Sequence, residues 1–240
     1  FDISRVMFCS GNVTERTRMA NPPIACTGLE GMIKWIPEEE VVVDLYAGIG
    51  YYVVPFLVHH KVKHVHACEW NPDSLTSLAY NLASNGVSPD RYTLHPGDNR
   101  KTITPTSSSL SLQSEQAAEV PDKVQPVGTI ATQSVGTPKL NGIADRVNLG
   151  LIPSSKQGWP LAVACLKATG GWMHVHDNVH EDKIASWTSQ LLVDFKELCV
   201  AEGGGRENLM VDLHHIETVK SYAPRVYHIV ADIFFHCDLA

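Results

Sequence analysis

The segment VVVDLYAGIGYYVVPF, residues 41–56, constrains the fold more than any other part of the 240-residue chain. Its β-branched residues predict a buried strand that ends at Asp44, and Gly48 and Gly50 predict a tight turn. The apolar residues after the turn predict a helix. A strand, a glycine-rich turn and a helix in this order form the crevice in which α/β proteins bind nucleotide-like ligands.

Strand-like and helix-like segments alternate along the rest of the chain, which predicts a mostly parallel sheet covered by helices. The predicted strands are 41–45, 64–69, 91–98, 144–152, 170–178, 208–217 and 225–236. The predicted helices lie at about 51–60, 73–84, 158–168 and 181–201. The last two strands should form an antiparallel pair. The expected fold is the α/β, Rossmann-like sheet of S-adenosylmethionine (SAM)-dependent methyltransferases, with seven strands and an antiparallel last strand.

The length and a hydrophobic content of 44% predict one domain. We expect residues 31–240 to form a SAM-binding catalytic domain. Residues 1–30 are expected to link it to a missing N-terminal region, because the chain begins with Phe1 rather than Met. A stretch at about 104–140 is rich in Ser, Thr, Pro and Gln and lacks aromatic residues, which predicts a disordered insertion.

Composition argues against several other classes of protein. The six cysteines contain no C-x-x-C pair, so neither a structural zinc nor a disulfide framework is expected. No apolar run reaches the roughly 18 residues of a membrane span. A net charge of −7 argues against a large nucleic-acid surface on this part of the chain. We expect a cytoplasmic protein that binds neither membranes nor metals.

The glycine turn favours SAM over other nucleotide-like ligands. A dinucleotide-binding G-x-G-x-x-G motif that began at Gly48 would need its third glycine where Val53 stands. The G-K-[ST] of a phosphate-binding loop is also absent from the sequence. SAM carries no pyrophosphate, so its site needs glycine only where the backbone passes close to the ligand.

Polar residues at three strand ends support the same ligand. Glu69 ends the second strand, where a carboxylate can accept hydrogen bonds from both ribose hydroxyls. A solvated acid at a strand end is the alternative interpretation. Asp98 and Asn99 end the third strand and suit the amino group and ring edge of adenine. Together with Asp44, these positions favour SAM over a nicotinamide cofactor.

With these residues in place, the chain resembles the wybutosine-synthesizing aminocarboxypropyltransferases of phenylalanine tRNA, which are related to the tRNA (guanine-N1)-methyltransferases. The segments that carry the resemblance are MFCSGNVTERTRM (7–19), VVVDLYAGIGYYVVPF, ACEWNPDS (67–74), GDNR (97–100), DRVNLGLIPSS (145–155) and GGWMHVHDNV (170–179). The resemblance implies transfer of the 3-amino-3-carboxypropyl group of SAM to carbon 7 of 4-demethylwyosine. It also implies tRNA(Phe) as partner, and we expect a monomer.

The resemblance further implies which residues hold SAM. The family uses a Ser in MFS, a Lys in TEK, the Glu of CEWN and the Asp-Asn of GDNR. The matching residues here are Cys9, Arg16, Glu69, Asp98 and Asn99. Cys9 is a weaker hydrogen-bonding group than Ser, and Arg16 replaces an ammonium by a planar guanidinium.

The segment NLGLIPSS should face the transferred group and the acceptor base. Asn148 is expected to orient the base, and Pro153 to shape its pocket. Ser154 and Ser155 either contact the base or cap the next helix. Nothing in the sequence identifies the group that removes the proton from the base.

Two further groups of residues have open roles. His174 and His176 share one face of a strand and, without a third ligand, are interpreted as structural rather than metal-binding. Asp177 and Asn178 either line the cleft or form a turn. The Met and Trp residues are expected in the core.

Three rival functions remain. A tRNA guanine methyltransferase could use the same pocket with SAM turned the other way. A non-catalytic tRNA-binding module could retain SAM for stability. A nicotinamide-dependent oxidoreductase is the least favoured, because the third glycine is absent.

Overall fold

The computed structural model describes residues 4–20, 36–101, 103, 105 and 139–237. The seven strands are β1 (Val41–Asp44), β2 (His64–Glu69), β3 (Tyr92–Pro96), β4 (Arg146–Leu149), β5 (Gly170–His180), β6 (Leu209–Ala223) and β7 (Val226–Cys237). Their spatial order is β3-β2-β1-β4-β5-β7-β6. Strands β1 to β5 pair in parallel, and β7 is antiparallel to both of its neighbours. The predicted mostly parallel sheet with an antiparallel last strand is confirmed.

Helices cover both faces of the sheet. They are α1 (Val13–Ala20), α2 (Val53–Pro55), α3 (Pro72–Ser84), α4 (Trp159–Cys165) and α5 (Ile184–Glu202). At the start of α3, the Asn71 side chain accepts a hydrogen bond from the Asp73 amide at 3.0 Å, and Pro72 occupies the first turn. Both residues fit the start of a helix, because the Pro72 ring needs no amide partner there.

Alternating side chains of the central strands build two hydrophobic cores. Val43 of β1 packs with Phe195 and Phe235 on the face covered by α4 and α5. Val42 packs with Phe56 and Leu78 on the face covered by α1, α2 and α3. Side chains along a strand point alternately to opposite faces, so β1 is buried on both sides, as its apolar run predicts.

Two helices are shorter than predicted. The helix expected at 51–60 is only α2, followed by a π-helical turn at Phe56–His60. Pro55 has no amide hydrogen and so interrupts the regular helical hydrogen bonds. The helix expected to reach residue 168 ends at Cys165, because the Lys167 amide instead donates to the Ala144 carbonyl at 3.0 Å.

The strands also differ in length from the prediction. β6 runs to Ala223 rather than 217, and β5 to His180 rather than 178. Three register shifts in the β6–β7 pair disturb the alternation of apolar residues from which strand ends are predicted. β4 is shorter than expected and ends at Leu149.

Two further predictions concern the insertion and membrane-spanning segments. Most of the insertion predicted at about 104–140 lies outside the described residues. In the part of the chain that the structure describes, no helix is long and apolar enough to cross a membrane.

Candidate functional site

The carboxyl ends of β1, β2, β3 and β4 lie side by side at one edge of the sheet. The connection from β1 leads to β2 on one side, whereas β4 lies on its other side. Ligands of α/β proteins bind in the crevice at such a change of direction. Asp44, Glu69 and Asn148 end or nearly end three of these strands, and Asp98 and Asn99 follow the fourth. The strand order therefore brings these five predicted residues to one edge.

Glu69 is held firmly at the centre of this edge. Its Oε2 accepts a hydrogen bond from the Gly48 amide at 2.7 Å, and its Oε1 accepts one from the Asn71 amide at 2.7 Å. Burial raises the pKa of the Glu69 carboxyl, and the hydrogen bonds from the Asn71, Gly48 and Trp70 amides oppose this shift. Carboxylate oxygens have spare lone pairs, so the fixed group can still accept from a ligand.

The turn beside Glu69 requires both of its glycines. Gly48 has φ +55° and Gly50 has φ +101°, where other residues are strained. A Cβ atom on Gly50 would lie 2.7 Å from Leu78 Cδ1 of α3. The Asn81 side chain of α3 also donates to the Ile49 carbonyl at 2.8 Å. The turn is thus packed closely between the crevice and α3.

Gly50→Ala should lower the free energy of unfolding by about 2 kcal/mol, because it combines an unfavourable φ with the contact to Leu78. Gly86→Ala is a matched control, since Gly86 also has a positive φ, +69°, but no atom lies within 4 Å of its added Cβ. It should cost about 1 kcal/mol. Urea unfolding measures both values, and equal losses would show that the Leu78 contact relaxes without cost.

Asp44 is fully buried at the end of β1, and Asn148 lies beside it at the end of β4. Burial raises the pKa of Asp44 to about 7, although the Tyr46 amide donates to Oδ1 at 3.1 Å. The carboxyl group is therefore partly protonated near neutral pH. Such a group can either donate or accept a hydrogen bond.

Asp98 and Asn99 are both engaged by neighbouring groups. Arg100 binds the Asp98 carboxylate with its Nε at 2.8 Å and a terminal nitrogen at 2.7 Å, and this contact lowers the pKa of Asp98. The Asn99 side chain donates to the Leu45 carbonyl at 2.9 Å, which ties this loop to the end of β1. The contact between Arg100 and Asp98 was not predicted from the sequence.

Cys9 lies in a segment that crosses the carboxyl edge of the sheet. The Arg5 carbonyl accepts from the Asn71 side chain at 2.9 Å, while the Cys9 amide donates to the Tyr51 hydroxyl. Lys220, near the end of β6, places Nζ 2.8 Å from Cys9 Sγ. Burial tends to raise the pKa of the Cys9 thiol, but Lys220 and the Gly11 amide lower it overall.

Arg16 lies on the other side of the glycine turn from Glu69. Its guanidinium is 5.9 Å from the centre of the Tyr51 ring. Together with Phe8, Gly50 and Asn81 it lines a cavity of about 630 Å³ whose lining does not include Glu69, Asp98 or Asn99. Gly50 and Tyr51 line the same cavity as Arg16, and the neighbouring Gly48 amide of this turn binds Glu69.

The segment after β4 packs against β5. The peptide bond between Ile152 and Pro153 is cis, and the Pro153 carbonyl accepts from the Asn178 amide at 2.9 Å. Ser154 donates to Asp177 Oδ2 at 3.0 Å, and Ser155 donates to the His176 carbonyl at 3.0 Å. Ser155 makes no side-chain hydrogen bond of a helix cap.

The alternative that Asp177 and Asn178 form a turn is wrong. Both lie within β5, where they pair with Ile229 and His228 of β7. β7 continues beside β5 as far as Val226, and this pairing keeps the segment extended.

A chain of buried charged and polar groups crosses the sheet beneath the site. Its members, which we call the buried charge chain, are Glu15, Arg18, Asp232, His174, Arg146 and Glu40. Arg18 donates to Glu15 at 2.7 Å and to Asp232 at 3.1 Å, and Asp232 accepts from His174 at 2.6 Å. The chain fixes α1, which carries Arg16, to the sheet.

His174 therefore has a structural role, as a member of the buried charge chain. Its nitrogens contact Asp232 and Arg146, and burial lowers its pKa to about 4. Among the described residues, no group of three or more His, Cys, Asp or Glu side chains is arranged to hold a metal ion.

Comparison with known proteins gives the family to which the chain is similar. Residues 1–111 match the family model of the TRM5/TYW2 methyltransferase domain. The chain is similar to this family over these residues. It is 38% identical to the tRNA wybutosine-synthesizing protein 2 homolog of Danio rerio, over 97% of this chain and 52% of that protein. The chain thus spans about half the length of this curated relative.

Two solved structures resemble the chain over nearly its whole length. TYW2 of M. jannaschii in complex with AdoMet gives a TM-score of 0.68 at 25% identity, and the match covers 99% of this chain and 81% of that chain. TYW2 of P. horikoshii in complex with MeSAdo gives 0.65 at 26% identity, over 98% of this chain and 67% of that chain. The fold predicted from the sequence is therefore also the fold of these two solved structures.

The expectation that the Trp and Met residues lie in the core is wrong for three of them. Trp159 and Trp172 are buried, but Trp70 is 67% exposed, as is Met7, and Met210 is 43% exposed. Trp70 directly follows Glu69, so its ring stands at the rim of the crevice. The position of Trp70 directly after an acid at a strand end was the sequence signal for its exposure.

Proposed function

We propose that this chain transfers the 3-amino-3-carboxypropyl group of SAM to carbon 7 of 4-demethylwyosine in tRNA(Phe). The observation that carries the proposal is the Glu69 carboxylate, held by the Gly48 and Asn71 amides where the strand order changes direction. The names of the relatives, and the AdoMet and MeSAdo bound to two TYW2 structures, support the reaction class. The proposal makes the protein a cytoplasmic tRNA-modifying enzyme.

The residues at the sheet edge fit SAM. Gly50 has no room for a side chain beside Leu78, so the turn packs closely on α3, and its Gly48 amide holds Glu69 at the crevice. We assign the ribose hydroxyls to Glu69 and the adenine to Asp98 and Asn99. When bound, SAM supplies a sulfonium whose neighbouring carbons are electrophilic.

Cys9 and Arg16 are proposed to fix the methionine arm. The Cys9 segment crosses the sheet edge, and the positive charges of Lys220 and Arg16 suit the carboxylate of that arm. This assignment requires the arm to extend past Gly50 and Tyr51 toward Arg16. Asn148 and Pro153 remain our candidates for the pocket of the acceptor base.

Residues 31–240 are proposed as the catalytic domain, but α1 belongs functionally with it. Glu15 and Met19 of this helix are buried against the sheet and the π-helical turn. The segment 1–30 is therefore more than a linker in this proposal, since α1 carries Arg16.

The group that is transferred decides between the two leading functions. The full-length protein would be incubated with tRNA(Phe) carrying 4-demethylwyosine and with SAM labelled in its carboxyl carbon. We expect the label in the tRNA and methylthioadenosine as the second product. A parallel reaction with methyl-labelled SAM and tRNA(Phe) that lacks the tricyclic base is the control, and it should give no labelled tRNA.

Other outcomes would replace the proposal. S-adenosylhomocysteine and methyl label in the tRNA would identify a guanine methyltransferase. SAM binding in calorimetry without either product would favour the non-catalytic module.

A further inference from the structure

Several buried polar atoms lie close together at the carboxyl ends of β1, β4 and β5 and at the adjacent amino end of β7. We call the residues that carry them the polar cluster: Asp44, Tyr52, Asn148, His176, Asn178 and His228. Burial raises the pKa of Asp44 and a hydrogen bond from the Asn148 side chain acts to lower it, so these two residues pair with each other. Within residues 4–20, 36–101, 103, 105 and 139–237, the cluster's unpaired atoms are then Tyr52 Oη, both polar side-chain atoms of Asn178, His176 Nε2 and His228 Nδ1. An unpaired buried polar atom destabilises the folded state, and folded proteins contain few of them.

The polar cluster is continuous in space. Asp44 pairs with Asn148 across β1 and β4, and Asn178 pairs with His228 across β5 and β7. The Tyr52 ring lies between the two pairs. Its centre is 5.2 Å from the centre of the His176 ring. Its edge lies near Gly150, as does the Asn148 amide nitrogen. His176 Nδ1 lies 3.0 Å from His228 Nε2.

Burial alone does not explain these unpaired atoms. His174 is as buried as His176 and lies on the same face of β5, but both of its nitrogens have partners in the buried charge chain. Most of the buried polar atoms without a hydrogen-bond partner among the described residues lie where the strands end, which is where the proposed acceptor base must approach; the others lie elsewhere, as Arg16 Nε of α1 does. A flat base with nitrogen and oxygen atoms on its edge can pair with amide, hydroxyl and imidazole groups at once.

We propose that the polar cluster binds the polar edge of the acceptor base and that His176 Nε2 accepts the proton released from carbon 7. The inference rests on the function proposed above. His176 is 1% exposed and the Tyr52 ring lies against it, so the base displaces the Tyr52 ring as it binds.

The step balances without a further reactant. Carbon 7 forms a bond to the methylene of the aminocarboxypropyl group, the bond from this methylene to sulfur breaks, and sulfur keeps the electron pair in methylthioadenosine. Carbon 7 then holds both the new substituent and its hydrogen. Loss of that hydrogen as a proton to His176 Nε2 restores the aromatic base, and the proton is later released to solvent.

The proposed role requires one of the two tautomers that the contact between the two histidines allows. If His176 Nδ1 carries the hydrogen and donates to His228 Nε2, the lone pair of His176 Nε2 faces the polar cluster. Burial lowers the pKa of His176 well below its ordinary value and that of His228 to about 4. Both rings are therefore neutral near pH 7. The lowered pKa makes His176 a weak base, which suffices here because the cationic ring formed at carbon 7 is a strong acid.

Glu15 is a weaker candidate for this role. Its two carboxylate oxygens accept from Arg18 at 2.7 and 2.8 Å, so the ion pair opposes its protonation. Asp44 has a pKa of about 7, so it is partly protonated near neutral pH and can donate a hydrogen bond to the base.

A hydrogen isotope effect tests the role of His176 directly. Single-turnover transfer would be measured on tRNA(Phe) whose 4-demethylwyosine carries hydrogen or deuterium at carbon 7. In the wild type we expect a ratio of rates near 1, because carbon–carbon bond formation is slower than proton loss. His176→Asn should be slower by about 100-fold, within the usual range for a general base, and should show a ratio above about 2.

The matched control is His66→Asn. His66 Nδ1 lies 3.0 Å from His95 Nε2, so it belongs to a similar histidine pair, but on the opposite face of the sheet. It should transfer at the wild-type rate with a ratio near 1. The isotope ratio does not depend on how much of a variant is folded, and SAM calorimetry reports the folded fraction separately.

The outcomes separate this inference from the proposed function. Wild-type transfer with an unchanged His176→Asn rate, or a slower rate with a ratio of 1, would overturn the role of His176 and leave the proposed function intact. Absence of transfer by the wild type would overturn both. Nitrogen NMR of the histidines gives a reading without catalysis: His176 Nε2 should be unprotonated at pH 7, and a protonated Nε2 would contradict the inference.

Discussion

Arg18→Met is expected to lower the free energy of unfolding at pH 7 by about 3 to 5 kcal/mol, the usual cost of removing one partner from a buried ion pair. Arg18 is the cation between Glu15 and Asp232, which are 0% and 1% exposed. Without it, two buried carboxylates face each other. Met fills a similar volume, so lost packing contributes little. Urea unfolding measures the change.

The loss should shrink as the pH falls from 7 to 5. In the wild type, burial acts to raise the pKa of Asp232, but His174 and Arg18 hold it well below its ordinary value of 3.8. Its stabilising contribution is present above pH 3.8 and is lost as the pH falls below that value. Without Arg18, the carboxyls of Glu15 and Asp232 should protonate at higher pH, which relieves their repulsion.

Arg225→Met is the control for this prediction. Arg225 also binds two carboxylates, those of Glu181 and Asp182, but its side chain is 57% exposed. Exposed ion pairs contribute about 0 to 1 kcal/mol. Equal losses for Arg18→Met and Arg225→Met, or a loss at Arg18 that does not change with pH, would contradict a buried charge chain.

Glu69→Ala should weaken SAM binding by about 1.5 to 3 kcal/mol, the scale for hydrogen bonds to a charged group. This corresponds to a dissociation constant raised about 10- to 150-fold. The reason is twofold, since the variant loses the proposed ribose contacts and also releases the Gly48 amide from its 2.7 Å hydrogen bond. Isothermal titration calorimetry gives the affinity.

Glu207→Ala is the comparison for Glu69. Glu207 accepts a hydrogen bond from the Gly205 amide at 2.9 Å in an exposed turn near the start of β6. It reproduces the contact between a carboxylate and a glycine amide outside the crevice, so its loss should leave SAM affinity unchanged. Wild-type affinity in Glu69→Ala would remove Glu69 from the site.

The strand ends that form the crevice could be predicted because their signals are local. A β-branched run followed by an acid locates Asp44, and an apolar alternation followed by an acid locates Glu69. Parallel strands place such ends at one edge without further information. Local signals do not give the lengths of the strands. β6 pairs with β7 as far as Ala223, beyond the end of the alternating apolar pattern in its sequence.

The buried charge chain could not be predicted, since its contacts join distant parts of the sequence. The segment VTERTRMA has the composition of a solvated helix, yet Glu15 is fully buried. Its burial depends on Arg18 and on Asp232, which follows Arg18 by 214 residues. The pairing of His176 with His228 could not be predicted for a similar reason: the two residues are separated by 52 positions, and only the sheet order brings them together.

The contact between α1 and β7 also has a consequence for synthesis on the ribosome. Asp232 is made 214 residues after Arg18, a delay on the order of 10 to 40 seconds at about 5 to 20 residues per second. During this interval Arg18 has no Asp232 to bind, so the contact that joins α1 to β7 cannot form. A nascent chain can therefore form the β1–β3 part of the crevice early, whereas the half that carries Arg16 is completed only after the final strand has emerged.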